Sequence, residues 1–154
     1  ALALAIELPR AQVVATDKSE DAVEIALANA ASLKVPNIAV RQSDWFGALQ
    51  GEKFDLIAAN PPYIDPLDPH LLDEVRYEPQ EALIADDHGL GDLKKIIQSA
   101  PRNLNETGWL LLEHGFEQGT VVRELLRAAG FKCVQTFRDL SGNDRVTEGQ
   151  WKPA

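Results

Sequence analysis

Short apolar runs that suit buried strands alternate with helical patterns along the 154-residue chain. Such alternation is typical of an α/β domain whose sheet is mostly parallel. A link of about five residues joins the last two runs, which is too short for a crossover helix, so the last strand is predicted to run antiparallel to its neighbour. The predicted strands are QVVATD, NIAVRQSD, KFDLIAAN, WLLLE, FKCVQTFRD and DRVTEGQWK.

Helix signals fill the intervals between these runs. Residues 1–8 suit the end of a helix that Pro9 stops, and Ser19 suits the N-cap of the next helix. Gly130 suits the position just beyond the end of a later helix. The apolar residues predicted to share a helical face are Val23, Ala26, Leu27 and Ala30, then Leu93, Ile96 and Ile97, then Val121, Val122, Leu125, Leu126 and Ala129.

Composition argues against several classes of function. The net charge is −9, and no cluster of Lys and Arg stands out, so direct binding to nucleic acid is not expected. The apolar start ALALAIEL lacks a basic flank and is too short to span a bilayer, so no signal peptide or membrane segment is predicted. Cys133 is the only cysteine, which favours a reducing compartment, the cytoplasm. His70, His88 and His114 share no ligand spacing, and no metal site is predicted.

Polar residues follow the ends of three successive predicted strands: Asp17, the pair Asp44 and Trp45, and Asn60. Ligands bind beyond the carboxyl ends of the strands in an open α/β sheet. Each residue also has a structural interpretation, since Asp17 or Asp44 can cap a helix and Trp45 can be a core aromatic. Together they favour an adenosine pocket, because an acid can accept both ribose hydroxyls and an acidic–aromatic pair suits an adenine ring. Neither G-x-G-x-x-G nor G-x-x-x-x-G-K occurs, so no phosphate clamp is expected beside that pocket.

The sequence Asn60-Pro61-Pro62-Tyr63 ends the third apolar run. The prolines stiffen the backbone, and a rigid turn that holds the Asn60 amide oxygen beside the Pro61 carbonyl presents two acceptors at a fixed angle. Such a pair can bind both hydrogens of a planar NH₂ group and leave the nitrogen lone pair facing a bound electrophile. Tyr63 supplies a flat apolar face for the same group. The alternative is a proline-rich surface loop, since Asn-Pro is a common turn opener.

The ordered sequences ATDKS, QSDWF, NPPYID, VRYEPQEAL, LLLEHG and NDRVTEG resemble motifs of class I S-adenosylmethionine-dependent methyltransferases, in particular the peptide chain release factor glutamine methyltransferases. The resemblance implies a Rossmann-like α/β sheet with S-adenosylmethionine as cofactor. It implies that Asp17 holds the ribose hydroxyls and that Trp45, beside Asp44, lies against the adenine. Asn60 would contact both the methionine end of the cofactor and the substrate.

By the same resemblance, the substrate is the glutamine of the GGQ loop in a release factor, and the product is a methylated glutamine amide nitrogen. Asn60, Pro61, Pro62 and Tyr63 would form the slot for that side chain. Asn60, Pro61 and Tyr63 would be catalytic because they position the nitrogen for in-line transfer.

Three further polar residues have two interpretations each. Arg76 and Glu78 either shape a lid over the slot or form a surface ion pair. Glu113, at the end of WLLLE, either assists at the site or is a buried structural acid. The histidines are interpreted as structural or incidental.

The resemblance covers essentially all of residues 1–154, which are predicted to be part of one catalytic methyltransferase domain. The family's first strand and Gly-rich loop, of the type D-x-G-x-G-x-G, have no counterpart in the sequence, and neither does its helical N-terminal domain. We therefore expect an N-terminally truncated domain with a gap in its sheet between the strands that end at Asp17 and Asn60.

Two other functions remain open at the level of sequence. NPPY suits an exocyclic amino group equally well, so an adenine-N6 DNA methyltransferase is one alternative, although the acidic balance argues against it. A truncated module that binds a partner without catalysis is the other.

Overall fold

The computed structural model describes residues 1–65 and 83–153. The chain divides into two units, Ala1–Gln50 and Gly51–Ala154, so the single domain expected over residues 1–154 stays a prediction. Within the described residues the strands form one two-stranded and one four-stranded sheet. The strand that ends at Asp17 and the strand that leads to Asn60 belong to different sheets, and the gap expected between them stays a prediction.

The unit Ala1–Gln50 contains, in chain order, α1 (Leu2–Glu7), β1 (Val13–Asp17), α2 (Glu20–Ser32) and β2 (Ile38–Gln42). Strands β1 and β2 are parallel, and Asp17 lies opposite Gln42 at their carboxyl ends. The Asn37 amide, just before β2, ties this strand to the region of α1. It donates to three carbonyl oxygens at 2.9–3.2 Å, those of Ala5, Leu8 and Ala11.

Helix α2 begins as predicted and buries only part of its apolar face. Ser19 is the N-cap, and its hydroxyl oxygen accepts from the Ala22 N–H at 3.3 Å. On the predicted apolar face, Val23 and Ala30 are buried, whereas Leu27 is 48% exposed. A two-stranded sheet offers too little area to cover a full apolar stripe, and residues at the edge of the stripe stay exposed.

The unit Gly51–Ala154 contains β3 (Phe54–Ala59), α3 (Asp86–Gly89), α4 (Gly91–Ser99), a 3₁₀ turn (Ala100–Arg102), β4 (Leu104–Glu113), α5 (Gly119–Ala128), β5 (Lys132–Arg138) and β6 (Asp144–Gln150). The strand order is β3-β4-β6-β5. Strands β3 and β4 are parallel, and β6 is antiparallel to both β4 and β5. The predicted antiparallel last strand is therefore confirmed.

The core of this second unit follows the predicted periodicities. Helix α4 buries its predicted residues Leu93, Ile96 and Ile97. Strand β4 is central in its sheet, as expected from its continuous apolar run, with Leu110 and Leu112 fully buried. Further buried residues on and after α5 are Val122, Leu126 and Phe131. Gly130 follows the C-cap of α5 with φ of 97°, as predicted.

Candidate active site

The carboxyl ends of β1 and β2 lie side by side in the first unit. The Ser43 N–H donates to the Asp17 carbonyl at 2.8 Å, which continues the strand pairing by one residue. The Asp17 carboxylate is exposed, and its Oδ1 accepts from the Ser19 N–H at 2.9 Å. Asp17 therefore stabilises the turn that leads into α2 through one carboxylate oxygen. This contact is close to the helix-capping role that was one interpretation of Asp17.

The loop after β2, residues 43–48 (the β2 loop), is organised by one buried hydroxyl. Ser43 Oγ donates to the Trp45 carbonyl and accepts from the Ala48 N–H, both at 2.9 Å. Trp45 has φ of 48°, which a bulky residue rarely adopts. No helix begins between β2 and β3, a stretch that is described throughout, so the N-cap interpretation of Asp44 is wrong. Asp44 is exposed and Trp45 is half-buried, so Trp45 is not a core residue.

The segment after β3, residues 60–65 (the β3 segment), carries the predicted slot residues of the second unit. Asn60 is exposed, the Pro61 side chain is fully buried and Tyr63 is half-buried. Within residues 1–65 and 83–153, neither the Asn60 carboxamide nor the Pro61 carbonyl forms a hydrogen bond. The turn is therefore anchored by a buried proline ring, while two acceptors next to each other in sequence stay available.

Tyr63 is held at both of its ends, by the last residue of β4 and by the residue that precedes α5. Its hydroxyl lies 3.5 Å from Glu113 Oε1, a long contact, and its carbonyl accepts from Gln118 Nε2 at 3.0 Å. Ala59 lies opposite Leu112 in the parallel ladder, which brings the ends of β3 and β4 to one edge of the sheet. Glu113 is therefore beside the predicted slot, and the structure gives it a partner there.

The far end of the β3 segment is joined to the residues around α3. Ile64 forms a parallel bridge with Ile84, through bonds of 2.9 Å from the Ile64 N–H and 3.1 Å to the Ile64 carbonyl. His88 Nδ1 lies 2.7 Å from Asp65 Oδ2, so His88 has a structural partner. In α3, Asp87, His88 and Gly89 have left-handed φ values of 58°, 55° and 78°. This turn brings its backbone up against the β3 segment.

His114, which follows Glu113, is buried and structural, as interpreted from the sequence. Its Nε2 lies 2.7 Å from Thr147 Oγ1, and its Nδ1 lies 2.8 Å from the Gly115 carbonyl. Because a carbonyl only accepts, Nδ1 carries the hydrogen and Nε2 accepts from the hydroxyl. Desolvation by burial is the main cause that lowers the pKa of His114, and the bond to Gly115 opposes it.

Some predicted features fall outside these contacts. His70, Arg76 and Glu78 lie outside the described residues.

In the part of the chain that the structure describes, no group of three or more His, Cys, Asp or Glu side chains could hold a metal ion. None of the described helices is both long and apolar enough to cross a membrane.

Neither the contacts of Gln118 nor the contact between Asp65 and His88 was predicted from the sequence. Gln118 lies 55 residues from its partner Tyr63, and no periodicity or short motif reports a contact over that separation. Its position just before the apolar stripe of α5 was the only available signal, and Gln is not a preferred N-cap residue.

Comparison with known proteins identifies relatives of this arrangement. The model of the family described as "Methyltransferase domain" matches residues 1–146. The chain is 53% identical to the release factor glutamine methyltransferase of Pseudomonas aeruginosa over 149 residues, which cover 96% of the chain and 54% of that protein. It is 48% identical over 152 residues to the Escherichia coli protein of the same name, covering 98% and 55%. The chain thus spans about half the length of these relatives.

Solved structures share the fold. A methyltransferase from Pyrococcus furiosus has a TM-score of 0.71 at 21% identity, over 99% of this chain and 68% of that one. A release factor-specific protein-(glutamine-N5) methyltransferase from Alicyclobacillus acidocaldarius has a TM-score of 0.51 at 24% identity, over 93% and 81%. At these identities the likeness concerns the fold, and it confirms the Rossmann-like methyltransferase α/β architecture expected from the sequence.

Proposed function

The chain belongs to the methyltransferase-domain family, and we propose that it supplies the catalytic domain of an enzyme that methylates a glutamine side-chain amide nitrogen in a peptide chain release factor. Relatives at 48–53% identity carry this activity in their name. Because the chain spans about half their length, the proposal concerns the full-length natural protein, with residues 1–154 in its catalytic domain. The target is the glutamine of the GGQ loop, and the enzyme acts in the cytoplasm, with no direct contact to nucleic acid or membrane.

The ends of β1 and β2 fit the adenosine part of S-adenosylmethionine. Asp17 accepts from the Ser19 N–H through Oδ1, and among the described residues Oδ2 remains as an acceptor for a ribose hydroxyl. The half-buried Trp45 offers a ring face for the adenine, and the exposed Asp44 beside it offers an acceptor. When bound, S-adenosylmethionine supplies an electrophilic methyl group, and Asn60 would lie at its methionine end.

The β3 segment supplies the positioning that this reaction needs. A carboxamide nitrogen is a poor nucleophile because its lone pair is delocalised into the carbonyl. The Asn60 amide oxygen and the Pro61 carbonyl would accept its two N–H groups, with Pro62 stiffening the turn and the Tyr63 ring packing against the carboxamide plane. Holding the nitrogen in a near-attack geometry can lower the barrier by roughly 7–11 kcal/mol. No strong base is required, because the N–H becomes acidic only after the new bond to carbon has formed.

The two hydrogen bonds act mainly in the transition state. Positive charge develops on the nitrogen as its bond to carbon forms, so acceptors fixed beside its hydrogens bind the transition state more tightly than the substrate. The observation that carries the proposal is the exposed Asn60 carboxamide, without a hydrogen bond in the described residues, next to the buried Pro61. A buried Asn60 bonded to the protein would have no acceptor to offer.

The decisive experiment replaces Asn60 by Ala in the full-length natural protein and measures methyl transfer to a release factor by mass spectrometry of the GGQ peptide. We expect turnover to fall roughly a hundredfold or more, with the unfolding temperature unchanged because Asn60 is exposed. Asn105→Ala is the matched control, since Asn105 is another side-chain amide of the same unit and, within the described residues, it bonds to the exposed Asp55 at 2.8 Å.

Three outcomes would contradict the proposal. Normal turnover in Asn60→Ala would show that methyl transfer does not need the Asn60 side chain in the slot. Transfer to adenine in DNA, offered in a parallel reaction, identifies the DNA methyltransferase alternative. Failure of the full-length protein to bind S-adenosylmethionine in calorimetry identifies a module without catalysis.

A further inference from the structure

We propose that Gln118 is a positioning residue that sets the β3 segment against the end of β4, and that turnover depends on its side-chain amide donating to the Tyr63 carbonyl. The inference rests on the function proposed above, since Tyr63 is one wall of the proposed slot. Gln118 itself is not proposed to touch substrate or cofactor.

The Gln118 carboxamide joins three separate parts of the second unit. Its Oε1 accepts from the Gly115 N–H at 2.9 Å, in the loop after β4. Its Nε2 donates to the Tyr63 carbonyl at 3.0 Å and lies 3.4 Å from the Gly89 carbonyl. The orientation of the amide is fixed by chemistry, because an N–H only donates and a carbonyl only accepts. A carboxylate or a thioether in the same place cannot make both kinds of bond.

The bond to Tyr63 is the shorter of the two polar restraints on that residue. The hydroxyl of Tyr63 reaches Glu113 only at 3.5 Å, where a hydrogen bond is weak. The Gln118 bond acts on the peptide unit that carries the ring, so it restrains the Cα from which the ring projects. Losing it frees Tyr63 to shift relative to β4 while the Pro61 ring stays buried.

The simplest structural explanation for Gln118 is that it caps α5. Gln118 occupies the N-cap position, but its side chain makes no capping hydrogen bond to the helix. Both ends of its carboxamide are directed to other segments instead. The side chain therefore links the segments that follow β3 and β4, and it does not cap the helix.

Two variants of the full-length natural protein separate the bonds. Gln118→Glu keeps an acceptor for the Gly115 N–H but loses the donor to Tyr63, and Gln118→Met loses both at similar length. Gln150→Glu is the matched control, because Gln150 is also half-buried and its Nε2 also donates to a backbone carbonyl, that of Thr107 at 3.0 Å.

Steady-state kinetics with a release factor give the first measurement. We expect kcat of Gln118→Glu and Gln118→Met to fall roughly tenfold to a hundredfold, as a small misplacement of a positioned group does. The Kd for S-adenosylmethionine should stay within about twofold of that of the unaltered protein, because the proposed adenosine contacts, Asp17, Asp44 and Trp45, are not among the residues to which Gln118 bonds. Gln150→Glu should keep the unaltered kcat. Turnover of Gln118→Glu equal to that of Gln150→Glu would overturn the inference.

Amide hydrogen exchange gives a measurement that does not need activity. In Gln118→Glu, the Gly115 amide should stay protected while the Ile64 and Ala85 amides, which close the bridge beyond Tyr63, exchange faster. In Gln118→Met the amides of Gly115, Ile64 and Ala85 should all exchange faster. This variant provides the test if Gln118→Glu does not fold. Unchanged exchange at Ile64 and Ala85 overturns the inference even if the unaltered protein methylates glutamine. A protein that never methylates glutamine contradicts the proposed function instead.

Discussion

The β2 loop and the β3 segment both follow the carboxyl end of a strand, yet they are held by opposite means. The Ser43 hydroxyl organises the β2 loop through bonds that reach only two and five residues along the chain. Tyr63 in the β3 segment is held through bonds that reach 50 and 55 residues. The first loop is therefore restrained by its own residues and by the end of β1, whereas the restraints on the second come from β4 and the start of α5.

Because of this difference, the two proposed halves of the site should respond differently to substitutions elsewhere in the chain. A change in α3 or before α5 should move the proposed glutamine slot, because those elements supply its restraints. The β2 loop is held by the Ser43 hydroxyl and by the bond from the Ser43 N–H to the Asp17 carbonyl, and these bonds involve neither α3 nor the start of α5. Stability is distributed unevenly in proteins, and segments held by few distant contacts open first.

The largest effect that would test this comparison is expected from Gly89→Ala. A Cβ at Gly89 would lie 2.2 Å from the Tyr63 carbonyl oxygen and 2.8 Å from Gln118 Nε2. The residue also has φ of 78°. Backbone strain and overpacking together should lower the free energy of unfolding by about 2–4 kcal/mol, as measured by urea denaturation, and turnover should fall with it.

Gly142→Ala is the control that isolates the contact. Gly142 has a similar φ of 86°, but a Cβ there meets nothing within 4 Å. It should cost only about 1 kcal/mol, from the backbone alone. Equal losses in the two variants would mean that the approach of Gly89 to Tyr63 is unimportant, and would break the comparison.

A smaller effect, confined to the other loop, is expected from Ser43→Ala. The change removes one hydroxyl that makes two bonds and leaves the Trp45 carbonyl and the Ala48 N–H unpaired, at a cost of about 1–2 kcal/mol. Amide exchange at Ala48 should quicken while Ile64 keeps its protection. Ser19→Ala is the control, since its bond at 3.3 Å is longer and exposed, and about 0.5–1 kcal/mol is expected. Loss of protection at Ile64 in Ser43→Ala would show that the loops are coupled.

What the sequence could predict follows the same division between local and distant contacts. The strands, the Ser19 cap and the exposed Asn60 at a strand end all follow from patterns within a few residues. The exposure of Leu27 could not be predicted, because it depends on the width of the sheet beneath α2, which no local pattern reports. Gln118 went unnoticed because its partner Tyr63 lies 55 residues away. The motif therefore predicts which residues form the proposed slot, but not which contacts hold them.

The finest test of the comparison is the response of each loop to acid. His114 lies between Glu113 and Gly115, at the end of β4 on which the β3 segment depends, and burial lowers its pKa below the ordinary value of 6.5. In the unfolded chain the imidazole takes up a proton as the pH falls below about 6.5, whereas in the folded chain it stays neutral until a lower pH. The unfolded state then binds more protons, so the stability that His114 contributes is complete above pH 6.5 and is lost as the pH falls toward its folded pKa.

Acidification should therefore loosen the β3 segment before it loosens the β2 loop. Protonation of Nε2 removes the acceptor that Thr147 Oγ1 uses at 2.7 Å, and the strain falls on the loop that contains the Gly115 bond to Gln118. As the pH falls below 6.5 toward the lowered folded pKa of His114, protection factors at Gly115 and Ile64 should drop while that of Ala48 holds. The C2 proton of His114 in NMR titration should report the depressed pKa directly. Equal loss of protection at Ala48 and Ile64 would mean that acid acts on the fold as a whole, and the separation between a locally held and a remotely held loop would fail.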